Sequence, residues 1–393
     1  MNSNILSQKK SSSSAPDQER GGFDFKKYST IMALIILFIF LAIMTEGGFL
    51  DARNFTNLTR QISVNAILAV GMTMVILTAG IDLSVGSVVA LSGVVAGLLQ
   101  VNMGLAGMGV SGTILSILAC VATGFLCGTI NGGLIAVFKI PPFVITLGMM
   151  VIARGLALII SDSSAISPMS PSFKWLAKGF MSTELTILLL AGVLAFWVKS
   201  LIARFKEGKR STSALFFAFL LEAICISFPA YAFISDRGLP LPTLSLIVIA
   251  GLGIFVLRKL PFGRYIFAIG GNEEAAALSG VPVTKIKWAT YALIGTLAGV
   301  CGVILTARLN SATPTEGNLM ELDAIAAVVI GGTSLMGGLG TITGSIIGAF
   351  LIGTLNNGMD LLDINSNYQM VIKGLIIIFA VWSDARTKQK AKA

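Results

Sequence analysis

The side chains able to do chemistry inside the apolar stretches of this 393-residue chain are few. They are Asp82 in TAGIDLSVGS, Glu222 in LLEAICISF, Asp323 in DAIAAVVIGG, and the amides Asn131, Asn356 and Asn357. A carboxylate in an apolar medium is costly, so each needs either a structural partner or a polar path to face. Asp82, with Ser84 beside it, either caps the helix that follows or faces such a path; Asp323, opening its run, has the same two readings. The three asparagines either hydrogen-bond a neighbouring helix or line a route for a polyhydroxy solute. Glu222 sits mid-run and requires a partner or a helix face near water.

Covalent and metal chemistry find no footing. There is no histidine, which removes the commonest general base and metal ligand. Cys120, Cys127, Cys225 and Cys301 all lie in apolar runs without CxxC spacing and read as small packing residues. No GxxxxGK[ST], HExxH or GxSxG occurs. No catalytic residue, metal or cofactor is expected in this chain.

The elements that must position these groups are membrane helices. The chain is 55% hydrophobic and 12% charged, where soluble domains carry about 25% charged residues. Apolar runs fall near 29–46, 62–80, 81–100, 112–138, 142–161, 183–203, 213–234, 242–258, 286–307, 323–337, 340–356 and 367–384. Several are short or broken by glycine. The expectation is an all-α polytopic membrane protein of about 10–12 transmembrane or re-entrant helices.

Most of the 28 Lys and Arg cluster around alternate connections: Lys9–Lys27, Lys139, Lys199–Arg210, Arg258–Lys287 and Arg386–Lys392. That asymmetry places both termini in the cytosol and explains the net charge of +9 without nucleic acid. Residues 1–28 read as a disordered cytosolic leader with no cleavable signal, 29–384 as the membrane domain and 385–393 as a basic cytosolic tail. Residues 162–182 form an extracytoplasmic loop, either a small cap or a spacer. Gly80–Gly86 and Gly332–Gly338 share Gly-x-x-Leu-x-x-Gly between apolar runs, a pattern of broken helices in a repeat. Gly340, Gly344 and Gly348 make overlapping GxxxG steps, implying close helix packing that includes a homodimer seam.

One hydrophilic passage stands out in the second half, with residues 262–287 at its heart. Its centre, Gly271 to Gly280, is built as a short helix. Asn272 is the N-cap, Glu273 and Glu274 favour the positive end of the dipole, and Ala275, Ala276, Ala277 and Leu278 propagate. Ser279 closes it, Gly280 takes the left-handed stop and Pro282 forbids continuation. A helix of about seven residues is marginal alone, so it must pack on its own protein or on a partner.

GRYIFAIGGNEEAAALSGVPVTKIK resembles the signature loop of sugar-importing ABC permeases of the ribose, xylose and galactoside type. Glu274-Ala275-Ala276-x-x-x-Gly280 fits the broader EAA-x-x-x-G pattern of ABC importer membrane subunits, without its downstream Ile-x-Leu-Pro. ILAVGMTMVILTAGIDLSVGS, ARLNSATPTEGNLMELDAIAAVVIGGTSLMGGLGT and LNNGMDLLDINSNYQMVIKGLIIIFAVW resemble early, late and C-terminal segments of the same family, covering about residues 48–384. ISPMSPSF and SDRGLPLPT, in a middle longer than that of ribose-type permeases, are similar to D-xylose permeases.

The resemblance implies that Gly271–Gly280 docks into a separate ABC ATPase subunit, which would bind ATP and Mg. It implies a permease homodimer in the bacterial inner membrane, fed by an extracytoplasmic sugar-binding protein and working by alternating access. An ion-coupled secondary transporter and a membrane glycosyl transferase are the other classes open to such a chain.

Overall fold

The computed structural model describes residues 25–207 and 212–392. The first 24 residues of the expected leader lie outside the described residues; from Phe25 the chain is helical, and helix also continues through the expected tail to Lys392. The helices, in order, are α1 (Phe25–Met44), α2 (Ala52–Leu77), α3 (Val85–Gly97), α4 (Val110–Phe138), α5 (Pro142–Ile160), α6 (Pro171–Lys178), α7 (Thr183–Glu207) and α8 (Thr212–Ser235). They continue with α9 (Leu241–Lys259), α10 (Pro261–Gly271), α11 (Glu273–Leu278), α12 (Val283–Leu309), α13 (Met320–Ile330), α14 (Ile342–Leu361) and α15 (Ser366–Lys392). No strand occurs among the described residues, only two isolated bridges.

The twelve apolar runs map one to one onto α1–α5, α7–α9 and α12–α15. Eight described helices are long and apolar enough to cross a membrane: α2, α3 with its π-turn to Asn102, α4, α5, α7, α8, α9 and α12. At 1.5 Å per residue, the 11 residues of α13 reach only about half-way across the roughly 30 Å of a hydrocarbon core. The break after it, at 331–341, lets the chain turn back into α14 without leaving the protein.

Helices α2, α3 and α12 form the centre, and the others surround them. Their burial explains their composition. With no hydrophobic drive between helices in lipid, close packing and interhelical hydrogen bonds hold the bundle. Gly124 and Gly128 of α4 meet Gly295 and Gly299 of α12 so closely that an added methyl at any of them would overlap opposing backbone. Hydroxyls inside α2 bond back one turn, Ser63 to the Thr59 carbonyl and Thr73 to that of Ala69, each at 2.6 Å. Thr73 also reaches Ser345 of α14 at 2.7 Å. The GxxxG glycines of α14 are occupied within the chain. Gly344 and Gly348 face the carbonyls of Gly331 and Ala327, so the close helix packing expected there is made by α13 and α14.

At one end of the bundle the connections interlock. Ile166 and Ala312 exchange backbone hydrogen bonds of 3.0 and 2.9 Å. Arg154 of α5 donates to the carbonyls of Pro314 and Glu316. The 162–182 segment forms a small cap carrying α6, whose N-cap Ser170 accepts from the Phe173 amide. Phe180 pairs with Pro240, joining the two ends of the α7–α8 hairpin. Glu222 of α8 finds its partners inside that hairpin: Arg204 grips both carboxylate oxygens at 2.7 Å, and the Trp197 indole donates at 2.8 Å.

Candidate functional site

At the opposite end the passage between α9 and α12 folds into two helices. Pro261 occupies the first turn of α10, where its missing amide costs nothing, and Ile266 and Ile269 bury one face. Asn272 then turns extended, at φ −160°, and separates α10 from α11. Its side-chain oxygen accepts from the Ala275 amide at 2.9 Å, the expected N-cap. The far end is a Schellman arrangement: the amide of Gly280 donates to the Ala277 carbonyl and that of Val281 to the Ala276 carbonyl, both at 3.0 Å. Gly280 has φ +82°, a conformation costly for any residue with a Cβ.

Six residues cannot hold a helix by themselves, and little holds this one. Ala276 alone is buried, joining an apolar cluster with Ile266, Ile269, Ile286 and Leu77. Glu273 reaches Lys287 of α12 at 2.6 Å. Every other residue of α11 faces outward, and Leu278 is 85% exposed. Between α11 and the turn joining α4 to α5 lies a cleft of about 650 Å³, edged by Lys139, Pro141, Glu273, Glu274, Ala277 and Lys287. A capped helix with an exposed apolar tip thus stands beside a charged cleft.

Behind α11 the backbone is tied to two helix breaks. Gly270 lies against the last carbonyl of α2, Leu77, and against the amide of Gly338 in the break between α13 and α14. The Gly338 amide donates to the Leu77 carbonyl at 3.0 Å. The two Gly-x-x-Leu-x-x-Gly stretches therefore both mark breaks, and the breaks meet.

The polar residues expected to serve as caps or path sort differently. Asp82 and Asp323 are not N-caps: the caps of α3 and α13 are Ser84 and Leu319, neither through a side chain. Asp82 turns its carboxylate onto the amide and hydroxyl of Ser84, at 2.8 and 2.6 Å. Asn131 of α4 donates to the same hydroxyl at 3.0 Å. All three are buried. The preceding carbonyl, Ile81, accepts from Thr146 of α5 and Tyr291 of α12, each at 3.4 Å. Three helices, α4, α5 and α12, thus pin the α2–α3 break.

Asp323 lies 3.6 Å from Lys373 of α15 and accepts from Asn65 of α2 at 3.4 Å. Asn357 and Asn54 exchange amide hydrogen bonds of 3.2 Å. The buried side-chain oxygen of Asn356 meets no donor among the described residues. Sequence reasoning missed Lys373, although a lone lysine inside VIKGLIII carries its own signal.

Comparison with known proteins gives one family. The model of the family described as branched-chain amino acid transport system / permease component matches residues 54–167 and 163–381. The xylose transport system permease protein XylH of Haemophilus influenzae is 38% identical over 370 residues, covering 92% of this chain and 97% of that protein. XylH of Escherichia coli strain K12 is 38% identical over 384 residues, 94% of this chain and 96% of its own. The ribose import permease protein RbsC of Bacillus subtilis is 38% identical over 376 residues, 94% and 97% of the two chains. No solved structure matches.

Proposed function

Because the chain belongs to the branched-chain amino acid transport system / permease component family, we propose that it is the membrane permease subunit of an ATP-driven monosaccharide importer, with D-xylose as its sugar. The observation that carries the reading is α11: a capped, outward-facing helix with an exposed apolar tip on a chain that has no phosphate-binding loop of its own. Energy must then arrive from a separate ATPase subunit, which would hold ATP and Mg and receive residues Gly271–Gly280 in a groove. Lys and Arg around this end support a cytosolic location for α11 and both termini, in the inner membrane of a bacterium.

The sugar would come from an extracytoplasmic binding protein to the end closed by Ile166, Ala312 and Arg154. A second copy of this chain would complete the path. ATP binding would draw the two docked α11 helices together, and the bundle would turn its opening from one side to the other. Docking can shift that equilibrium only by its different affinity for the two states. The inserted middle and the XylH relatives support xylose; RbsC keeps ribose as the competing outcome.

The test is uptake into proteoliposomes containing permease, partner ATPase and binding protein, using labelled D-xylose and D-ribose. With ATP inside and ion gradients collapsed, xylose should accumulate. Uptake that follows a proton or sodium gradient without ATP would make the chain a secondary transporter. Accumulation of ribose in preference to xylose would overturn the sugar and leave the class intact.

A further inference from the structure

The junction of Gly270, Leu77 and Gly338 is made of backbone alone. We propose that these contacts carry the displacement of α11 into both helix breaks at once, with Gly270 as the positioning residue. This rests on the importer reading above.

A methyl group added to Gly270 would overlap the Leu77 carbonyl oxygen and the Gly338 amide nitrogen. One added to Gly337 would lie 3.0 Å from the Ala79 amide nitrogen and from the Gly270 Cα and carbonyl oxygen. Gly338, at φ +72°, presents its amide to Leu77 and its Cα face to Gly271. Three segments therefore meet with no side chain between them: the end of α2, the α13–α14 break, and the last turn of α10.

The junction is one residue away from the cap of α11, since only Gly271 separates Gly270 from Asn272. The connection is also backed by packing, because Ala276 of α11, Ile269 of α10 and Leu77 of α2 share one apolar cluster. A side-chain contact absorbs small shifts by changing rotamer; a backbone contact at van der Waals distance cannot, because packed interiors deform little. A push on α11 toward the bundle must move the Leu77 carbonyl, and beyond it the turn holding Asp82. It must also move Gly338, where α13 hands over to α14. The two breaks shift together or the hydrogen bond between them opens.

Spatial adjacency is not coupling, so the test measures coupling itself. The assembled importer is compared with Gly270→Ala and Gly251→Ala variants. A methyl at Gly251, in α9, meets nothing within 4 Å, which makes it the control. Gly270→Ala should lower sugar uptake and binding-protein-stimulated ATP hydrolysis about tenfold, within the range for mutations that alter communication between sites. Capture of the ATPase should stay within about twofold, and Gly251→Ala should match wild type.

Unchanged transport by Gly270→Ala overturns the proposal. So does a loss of ATPase capture as large as the loss of transport, since the junction would then only build the docking surface. If Gly270→Ala does not assemble, hydrogen exchange on the wild-type complex decides. Protection of the Gly338 amide should differ between nucleotide-free and ATP-trapped states, and equal protection overturns the proposal. A wild-type chain that captures no ATPase and shows no ATP-driven uptake defeats the importer reading instead.

Discussion

Leu278 offers the sharpest test of where a partner binds. It sits at the end of α11, is 85% exposed and touches no apolar cluster of its own chain. Changing it to alanine removes three carbons. At about 0.8 kcal/mol for each buried carbon group, full burial in a partner groove would be worth about 2 kcal/mol. That loss corresponds to roughly 30-fold weaker binding, since about 1.4 kcal/mol is tenfold. The permease itself should not notice, because a surface substitution outside any packed contact changes stability by about 0.5 kcal/mol or less. The assay is titration of the purified ATPase subunit onto the permease in lipid nanodiscs, with thermal unfolding of the same samples. Binding that stays within twofold of wild type refutes docking through this helix. A drop in unfolding temperature without a change in binding refutes the idea that Leu278 waits for a partner.

Three further outcomes follow from the same geometry. Glu274→Arg reverses charge on the outward face of α11 and should weaken ATPase capture while leaving membrane insertion intact, read by pull-down beside membrane fractionation; undiminished capture counts against an electrostatic part in docking. Gly280→Val forces a branched side chain into φ +82°, a strain of about 1–2 kcal/mol. Sugar-stimulated ATP hydrolysis should fall, and normal stimulation would show that the C-terminal stop of α11 is dispensable. Lys373→Met leaves the Asp323 carboxylate buried beside Asn65 without its cation, and breaking such a pair costs about 3–5 kcal/mol. The unfolding temperature should drop, and Lys373→Met with Asp323→Leu should recover most of it; an unshifted single variant would show that the pair is solvated.

The parts of this structure that were readable in advance are those whose cause is local. Asn272, Gly280 and the alanines between them fix α11 within nine residues, because caps and stops act through backbone groups at most five positions away. The apolar runs were equally legible as helices. What was hidden depends on neighbours distant in sequence. Asp82 and Ser84 are two apart, but Asn131, which completes their network, comes from another helix. Lys373 meets Asp323 only once α15 lies along α13. The α10 helix escaped because polar residues flank it, Arg258 and Lys259 before and Asn272 to Glu274 after, although Pro261 and the spacing of Ile266 and Ile269 announced it. The α4–α12 seam escaped for another reason. Gly124, Gly128, Gly295 and Gly299 are four among 43 glycines, and their meaning depends on which helices lie side by side.

The bridge between Phe180 and Pro240 has a consequence for how such a chain can change length. On its two sides the Met181 amide donates to the Leu239 carbonyl at 2.8 Å and the Leu241 amide to the Gly179 carbonyl at 3.1 Å. The hairpin α7–α8 is thus a closed excursion whose entry and exit are already in contact, with its own ion pair inside it. Gly179 and Leu241 could be joined directly with no other helix rerouted. A pair of membrane crossings can be gained or lost at such a point in a single genetic step without inverting anything downstream, since two crossings preserve the sidedness of all that follows.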